Sequence, residues 1–323
     1  MARVAAALLA VGVTAGGLGV AQAQDYPNRP IRYIVTTAPG GLMDVPARLL
    51  SDSLDRMLGQ RVLVENRGGA GGNVGMDIMV KSPPDGYTLA QIQVGNVAIN
   101  PFIYKDLSYD VFTDIVPVAP LTSSPILVVV NAGLAAKDLG QLIALAKAEP
   151  GKLNYGSAGV GTAPHLAGEL FARAADIKIV HVPYRGAGPA ITDLAAGQVQ
   201  ISFVGLGAVR SHIEGGRVRA LAVAQPHRLK AAPDVPTTAE AGLPSYEFVT
   251  WFGVGAPRGT PRPVIDKLVG AIHAMQDDPT VQKRLGESGM EPLQESPEQF
   301  AARIRQDHDR LRDVVLAAGI KPE

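Results

Sequence analysis

The sequence predicts an α/β protein built of two doubly wound lobes that are joined by a hinge. Its 323 residues exceed what one typical hydrophobic core contains, and this length favours two lobes. β-rich segments alternate with helical segments in both halves of the chain, a pattern that indicates parallel sheets covered by helices. No long linker separates the halves, so we expect strands that cross between the lobes to form the hinge.

The first half opens with a strand, a loop and a helix. Residues 31–36 are rich in β-forming side chains, Pro39-Gly40-Gly41 interrupts them, and apolar residues then recur at helical spacing. Further strands are predicted at residues 61–66, 87–94 and 126–131. The last of these is almost continuously apolar, which is typical of a strand buried on both faces.

The second half repeats the alternation, and the chain ends in helices. Strands are predicted around residues 152–158, 177–184, 199–205, 219–224 and 248–256. Near the end, Ser296 and Gln299 have the spacing of a capping box around a proline at the first helical position. The apolar face of the helix that follows is predicted to contain Phe300, Ile304, Leu311 and Val315.

Composition argues against several classes of function. Lysine plus arginine and aspartate plus glutamate both number 30, and aromatic residues make up 5%, so nucleic acid is not an expected partner. The chain has no cysteine, which excludes disulfides, thiolate metal sites and a lipid anchor on cysteine. Its six histidines form no metal-binding motif, so we expect neither a metal nor a cofactor.

The N-terminus has the pattern of a secretory signal peptide. After Arg3 no charged residue occurs up to Gln24, and Ala21-Gln22-Ala23 matches an A-x-A cleavage site. We therefore predict a signal peptide at residues 1–23 and an exported protein that starts at Gln24. An uncleaved membrane anchor is the alternative, since the apolar run approaches spanning length.

The segment NYGSAGVGTAPHLAGELF, residues 154–171, raises the main functional question. It has the pattern of a strand, a loop of small residues and a helix, and such a loop can serve three different functions. A phosphate loop needs lysine after the second glycine of its motif, but Thr162 follows Gly161 here. No G-x-G-x-x-G motif follows a predicted strand either, so a nucleotide site is not supported.

A serine nucleophile is the second reading of this segment. The nucleophile elbow has the pattern G-x-S-x-G, and Tyr155 replaces its first glycine before Ser157. Asp193 and His212 follow in the chain order of α/β-hydrolases, so a secreted serine hydrolase remains an alternative.

An anion cradle is the third reading, and it needs only the residues that are present. Gly161 lets the backbone approach a ligand, Ser157 and Thr162 offer hydroxyl groups, and the following helix offers free N–H groups. His165 in the first helical turn is expected to be neutral and to donate one hydrogen bond. An ordinary loop with Thr162 as helix N-cap stays open beside this reading.

Two more glycine loops favour the anion cradle. Thr37, Gly40 and Gly41 follow the first predicted strand, and a second glycine-rich loop at residues 68–75 follows the next one. Ligands of doubly wound sheets bind at the carboxyl ends of strands. Asp44 fits a ligand contact or a helix cap, and Asn96 fits a polar cleft residue or a turn residue.

The motifs together resemble those of one family. They are YPNRPIRYIVTTAPGGLMDVPAR, VLVENRGGAGGNVGMD, PDGYTLAQ, LNYGSAGVGTAPHLAGELF, HVPYRGAGPAITDLAAGQVQISF, PDVPTTAEAGLP and WFGVGAPRGTP. In this order, over residues 26–323, the chain resembles the Bug, or tripartite tricarboxylate transporter, family of periplasmic solute-binding proteins.

The resemblance implies a type II periplasmic-binding-protein fold that is not an enzyme. It implies one lobe of residues 24–125 and 248–323 and a second lobe of residues 126–247. It also implies a small di- or tricarboxylate, acidic amino acid or aromatic acid as ligand, held largely by backbone amides and water. The implied partners are the permease subunits of a tripartite transporter, and the receptor itself is expected to be a monomer.

Some details stay open at the level of sequence. The family often has P-F-P-P-G-G after its first strand, whereas this chain has T-T-A-P-G-G, so no particular ligand carries over. Asp193 joins the predicted ligand-binding set, and Trp251 and Phe252 fit either a cleft wall or the core. A periplasmic sensor used for signalling is an alternative to an uptake receptor.

Overall fold

The computed structural model describes residues 26–37, 39 and 43–317. The predicted signal peptide, Gly40 and Gly41 lie outside these described residues. In chain order, the strands are β1 (Ile31–Val35), β2 (Val62–Asn66), β3 (Thr88–Gln93), β4 (Ile115–Pro125), β5 (Leu127–Asn131), β6 (Asn154–Ser157), β7 (Val180–Pro183), β8 (Ile201–Val204), β9 (Val218–Val223), β10 (Val249–Pro257) and β11 (Glu291–Pro292). The α-helices are α1 (Asp44–Leu58), α2 (Asn73–Val80), α3 (Asn100–Ile103), α4 (Leu139–Ala148), α5 (Ala163–Ala175), α6 (Ala187–Ala196), α7 (Leu206–Glu214), α8 (Arg262–Asp277), α9 (Pro279–Glu287) and α10 (Pro297–Ala317).

The strands form two sheets, and each sheet with its helices makes one lobe. The first sheet has the order β11-β4-β10-β3-β1-β2, and the second has the order β7-β6-β8-β5-β9. In both, the earliest strand of a parallel triplet lies in the middle: β1 between β2 and β3, and β6 between β7 and β8. The predicted α/β architecture of two lobes is confirmed.

The expectation of parallel sheets is wrong for the other half of each sheet. β10 pairs antiparallel with both β3 and β4, and β5 pairs antiparallel with both β8 and β9. A buried apolar strand has the same side-chain pattern in either direction, so the sequence of β5 did not reveal its orientation. Both sheets are mixed.

The chain crosses between the sheets at two places that lie side by side. β4 ends at Pro125 and β5 begins at Leu127, so Ile126 alone separates strands of different sheets. The return crossing precedes β10, and there Ile126 N–H donates a hydrogen bond to Phe248 O while Ala224 N–H donates one to Ile126 O. The two hydrogen-bonded crossings have the form expected for a hinge, and the lobe boundaries given above stay a prediction.

Helix α10 joins the core of the first sheet to the second lobe. Its capping box is present, because Gln299 N–H donates to Ser296 Oγ at 3.2 Å and Ser296 N–H donates to Gln299 Oε1 at 2.9 Å. All four residues of its predicted apolar face are buried. Phe300 packs edge-on against Trp251 with ring centroids 5.0 Å apart, and α10 also contacts α5.

Trp251 and Phe252 belong to the core and do not line a cleft. Both are almost fully buried, and Trp251 Nε1–H donates a hydrogen bond of 2.7 Å to Asp307 on α10. None of the helices in the described part of the chain combines the length and the apolar character that crossing a membrane requires.

Replacing Phe300 by alanine should destabilise the protein strongly. The Phe300 ring fills the space in front of Gly253, where an added Cβ would lie only 2.3 Å from its Cζ atom. Its removal leaves a cavity against Trp251, and such a change lowers the free energy of unfolding by about 3–5 kcal/mol. Urea denaturation followed by circular dichroism measures this loss.

Leu316→Ala on the same helix is the matched control, because Leu316 is 58% exposed. We expect that variant to stay within about 0.5 kcal/mol of the wild type. Equal midpoints for the two variants would contradict the packing role of Phe300.

Candidate functional site

The loop between β6 and α5, residues 158–162, is the centre of the candidate site. Gly159 and Gly161 have φ angles of 127° and 74°, a backbone conformation that other residues rarely adopt. A Cβ at Gly161 would lie 2.4 Å from Cδ1 of Ile103, which ends α3. The loop of the second lobe therefore approaches the first lobe at a position where only glycine fits.

The hydroxyl groups of Ser157 and Thr162 form hydrogen bonds with backbone atoms of this loop. Thr162 Oγ1 donates to Gly159 O at 2.7 Å, and Ser157 Oγ lies 3.1 Å from the same oxygen. Gly159 N–H in turn donates to Ser157 Oγ at 3.1 Å. Thr162 occupies the N-cap position of α5, but its side chain does not cap the helix.

Several backbone N–H groups at this end of α5 have no hydrogen-bond partner in the part of the chain that the structure describes. Among the described residues, no hydrogen bond joins the N–H groups of Val160, Ala163 or His165 to an acceptor. The N-terminus of α6 lies beside them, because Gly186 N–H donates to Ala158 O at 3.2 Å. Free N–H groups at helix N-termini favour an anion, and the loop itself contains no lysine or arginine.

His165 and His181 form a stacked pair beneath the loop. Their ring centroids are 3.8 Å apart and the ring planes differ by 7°. Gly161 N–H donates to His165 Nδ1 at 3.1 Å, and His181 Nε2 lies 2.6 Å from Ser157 Oγ. His165 thus accepts a hydrogen bond from the loop at Nδ1, and its expected role as a neutral donor of one hydrogen bond stays a prediction.

Burial keeps both rings neutral. It lowers the pKa of His165 to about 4, with a further contribution from the neighbouring His181, and it lowers the pKa of His181 to about 4. Tyr155 stacks on His181 with centroids 4.9 Å apart, and its hydroxyl donates to Glu169 Oε1 at 2.6 Å. Burial and this carboxylate raise the pKa of Tyr155.

A polar network holds the first lobe's side of the site, at the carboxyl ends of β1 and β3. Asn96 is fully buried; its Nδ2–H donates to Thr36 Oγ1 at 3.2 Å, and its Oδ1 accepts from Gln93 N–H at 3.0 Å. Tyr109 donates its hydroxyl proton toward Asn96 O at 2.7 Å. Asn96 is therefore a structural anchor of the strand ends.

Thr37 and Asp44 lie near each other on the same side. Asn66 Nδ2 donates to Thr37 O at 3.2 Å and to Asp44 Oδ1 at 2.8 Å. Asp44 is the first residue of α1 and forms an ion pair of 3.5 Å with Arg48. The Thr37 hydroxyl is buried and has no hydrogen-bond partner in the described part of the chain. It is therefore available to form a hydrogen bond with a ligand.

The hydrolase arrangement is not present. His212 is hydrogen bonded to Arg217 at 3.2 Å, and Asp193 accepts a hydrogen bond of 2.7 Å from Tyr184, so neither contacts Ser157. The Tyr184 pKa rises to about 12, chiefly through burial and then through Asp193. Ser157 is 1% exposed, and its imidazole neighbour His181 is hydrogen bonded to no carboxylate among the described residues.

A cavity of about 620 Å³ lies elsewhere, at the far end of α5. Its lining includes Lys147, Arg173 and Lys178 together with Val314 of α10. Arg173 is ten residues beyond Ala163, so the cavity is about 15 Å along the helix from the glycine loop. We place the candidate site at the loop, because the carboxyl ends of strands are where such sheets bind ligands.

Sequence reasoning missed His181, Tyr155 and Glu169. Tyr155 and His181 are 26 residues apart and meet because β6 and β7 pair in parallel with Tyr155 opposite His181. The one available signal was that HVPY is the end of a strand, where ligand sites of such sheets occur. The ligand-binding roles of Thr37, Asp44, Asn96, Ser157, Gly161, Thr162, His165 and Asp193 stay predictions.

Comparison with known proteins gives one consistent result. The sequence model of the tripartite tricarboxylate transporter family receptor matches residues 46–320. Protein BugT from Bordetella pertussis is 37% identical over 322 residues, which cover 99% of each chain. These relatives are solute-binding receptors and not enzymes.

Solved structures agree with this assignment. Rpa4515 of R. palustris with adipate has a TM-score of 0.86 and 35% identity, over 93% of this chain and all of that one. MatC from Rhodopseudomonas palustris with bound malate has a TM-score of 0.81 and 32% identity, over 90% of this chain and all of that one.

The free energy of unfolding should fall as the pH decreases from about 6.5 to 4. His165 and His181 both have a pKa of about 4, whereas an unfolded histidine has a pKa near 6.5. The unfolded chain therefore binds more protons in this window, and stability is lost on acidification. Urea denaturation at several pH values, with NMR titration of the two rings, measures both effects.

A variant with His165→Gln and His181→Gln serves as the control, since glutamine does not titrate. Its free energy of unfolding should depend less steeply on pH than that of the wild type. Ring signals of His165 and His181 that titrate with midpoints near 6.5 would contradict the prediction.

Proposed function

Because this chain belongs to the family of tripartite tricarboxylate transporter receptors, we propose that it captures a small organic carboxylate in the periplasm. The ligand binds between a lobe of residues 24–125 and 248–323 and a lobe of residues 126–247. The lobes close around it by bending at the two crossings near Ile126. The closed receptor then delivers the ligand to the membrane permease of a tripartite transporter.

The observation that carries this proposal is the set of unpaired N–H groups at the start of α5. The N–H groups of Val160, Ala163 and His165 lack partners in the described part of the chain and lie at a positive helix end. The first N–H groups of a helix have no partner within the helix, so these groups are available to an acceptor such as a bound anion. A carboxylate is an acceptor of the right charge.

The first lobe supplies a second potential ligand contact, the hydroxyl group of Thr37. The Thr37 hydroxyl is buried without a hydrogen bond among the described residues, and Ile103 of the same lobe packs close to Gly161 of the second lobe. A ligand held by the α5 N-terminus and by Thr37 would bind both lobes at once. Such a ligand favours the closed state, because only that state offers both sets of contacts.

The relatives support the choice of ligand class. Similar structures contain adipate and malate, which are both linear dicarboxylates. The hydrogen-bond donors at the start of α5 are neutral backbone N–H groups. Because the positive end of the helix already favours an anion, the preference for an anion needs no bound metal. We therefore propose a di- or tricarboxylate as first choice, with acidic amino acids and aromatic acids as the wider class.

The same proposal implies that the protein is exported to the periplasm. The predicted signal peptide at residues 1–23 directs export, and cleavage after Ala23 releases a monomeric receptor that starts at Gln24. A permease in the membrane is the partner that receives the ligand.

A thermal-shift screen with carboxylates tests the proposal. A ligand at about 100 times its dissociation constant should raise the free energy of unfolding by about 2.7 kcal/mol. The panel contains malate, adipate, citrate, glutamate and benzoate, and a neutral diol of matched length is the negative control. No shift with any carboxylate would contradict the proposed ligand class.

Thr37→Val should weaken the affinity for the best ligand of that panel about tenfold. The substitution keeps the shape of the side chain and removes the hydroxyl group that would form a hydrogen bond with the ligand. Isothermal titration calorimetry measures the change. Thr280→Val is the matched control, since Thr280 is exposed at the start of α9, and equal affinities of the two variants would exclude a ligand contact for Thr37.

A further inference from the structure

Two imidazoles, the buried ring of His165 and the half-buried ring of His181, are hydrogen bonded to the β6–α5 loop, and the direction of each hydrogen bond depends on where the ring carries its proton. Gly161 N–H can only donate a hydrogen bond, so His165 Nδ1 must present a lone pair to it. Neutral His165 therefore carries its proton on Nε2. A cationic His165 would carry a proton on Nδ1 as well, and the hydrogen bond from Gly161 would be lost.

The same reasoning applies to His181 through the Ser157 hydroxyl. Ser157 Oγ has one proton and two lone pairs, and one lone pair accepts from Gly159 N–H. The hydroxyl proton has an acceptor at Gly159 O, 3.1 Å away. When it points there, the 2.6 Å contact with His181 Nε2 must be an N–H donated to the second lone pair.

We propose that His181, together with His165, is a positioning residue that fixes the β6–α5 loop for anion binding. His181 Nε2–H holds Ser157 Oγ and directs the hydroxyl proton onto Gly159 O, while His165 Nδ1 holds Gly161 N–H. This inference rests on the proposed function, because the anion is the ligand proposed above. Ser157 thereby supports the loop and is not itself the main contact of the ligand.

The electrostatic consequence concerns the Gly159 carbonyl. This oxygen is the partial negative charge in the middle of the loop, and the hydroxyls of Ser157 and Thr162 both approach it within hydrogen-bond distance. An uncovered carbonyl beside the free N–H groups would repel a carboxylate. The histidine pair therefore improves anion binding without placing a positive charge in the site.

The surroundings of the pair keep it neutral and in place. His165 and His181 stack on each other, and Tyr155 stacks on His181 from the other strand. The groups that face the pair are the Tyr155 hydroxyl and the Glu169 carboxylate, which lies 3.9 Å from His165 Nε2. Glu169 already accepts the Tyr155 hydroxyl proton at 2.6 Å, and burial lowers the pKa of both rings to about 4.

A double-mutant cycle on ligand affinity tests the inference. His181→Phe keeps a flat ring for stacking and removes the nitrogen that contacts Ser157. We expect His181→Phe and Ser157→Ala each to weaken binding of the best carboxylate about tenfold, and the double variant to bind no more weakly than either. Additive losses, about a hundredfold in the double variant, would overturn the proposal.

Two further variants separate positioning from packing. His181→Gln removes the ring but keeps an N–H donor, so it should restore affinity to within about threefold of the wild type. His308→Phe is the matched control, because His308 also packs against two aromatic rings, Phe102 and Phe112, and should show no coupling to Ser157. Failure of glutamine to recover any affinity would assign His181 a packing role.

A measurement on the ligand-free protein keeps this inference separate from the proposed function. NMR at pH 7 should show His165 and His181 as Nε2–H tautomers, and the Gly159 amide should exchange with solvent about tenfold faster in His181→Phe. If no carboxylate binds the wild type, the proposed function fails while these two readouts still decide the positioning role. An Nδ1–H tautomer of His181, or unchanged Gly159 exchange, would overturn it.

Discussion

Backbone N–H groups at the start of α5 that have no partner among the described residues are the constraint on which the candidate site depends. Peptide dipoles bind an anion well only when they are held in fixed directions, because water would otherwise reorient around them. The loop meets this requirement with glycines at positive φ, a carbonyl turned toward hydroxyl groups and an imidazole under Gly161. Each of these features helps to hold the N–H groups in a fixed direction.

The two-lobed frame places that loop opposite the first lobe. In both sheets the earliest strand of a parallel triplet lies between the other two, so the carboxyl ends of β1 and β6 each have a parallel neighbour on both sides. Connections at the end of a central strand have neighbours on both sides. This shared topology explains why the loop after β6 has α6 beside it and why the end of β1 has Asn66 and Asn96 beside it.

Much of the fold could be predicted from the sequence, because local patterns encode local structure. The capping box at Ser296 and the apolar face beginning at Phe300 describe α10 correctly, and the glycine loops mark strand ends. Strand direction could not be predicted in this way. β5 and β10 are antiparallel to their neighbours, but a buried strand has no side-chain feature that records the direction of the strand beside it.

The candidate site was predictable only in part, for a related reason. The loop of Gly159 and Gly161 is a local pattern, and the sequence indicated an anion cradle there. The bonds that shape it depend on His181, which reaches Ser157 through the pairing of β6 with β7. Side chains that meet through strand pairing have no fixed spacing in the sequence, so the contact of His181 with Ser157 could not be predicted.

Trp251 gives the molecule a spectroscopic property of its own. It is the single tryptophan of the chain, it is 1% exposed, and it joins β10 to α10 through Phe300 and Asp307. Tryptophan emission, excited at wavelengths where the eight tyrosines do not absorb, therefore reports the β10–α10 junction. An emission change on adding a solute would mean that the surroundings of Trp251 at this junction rearrange.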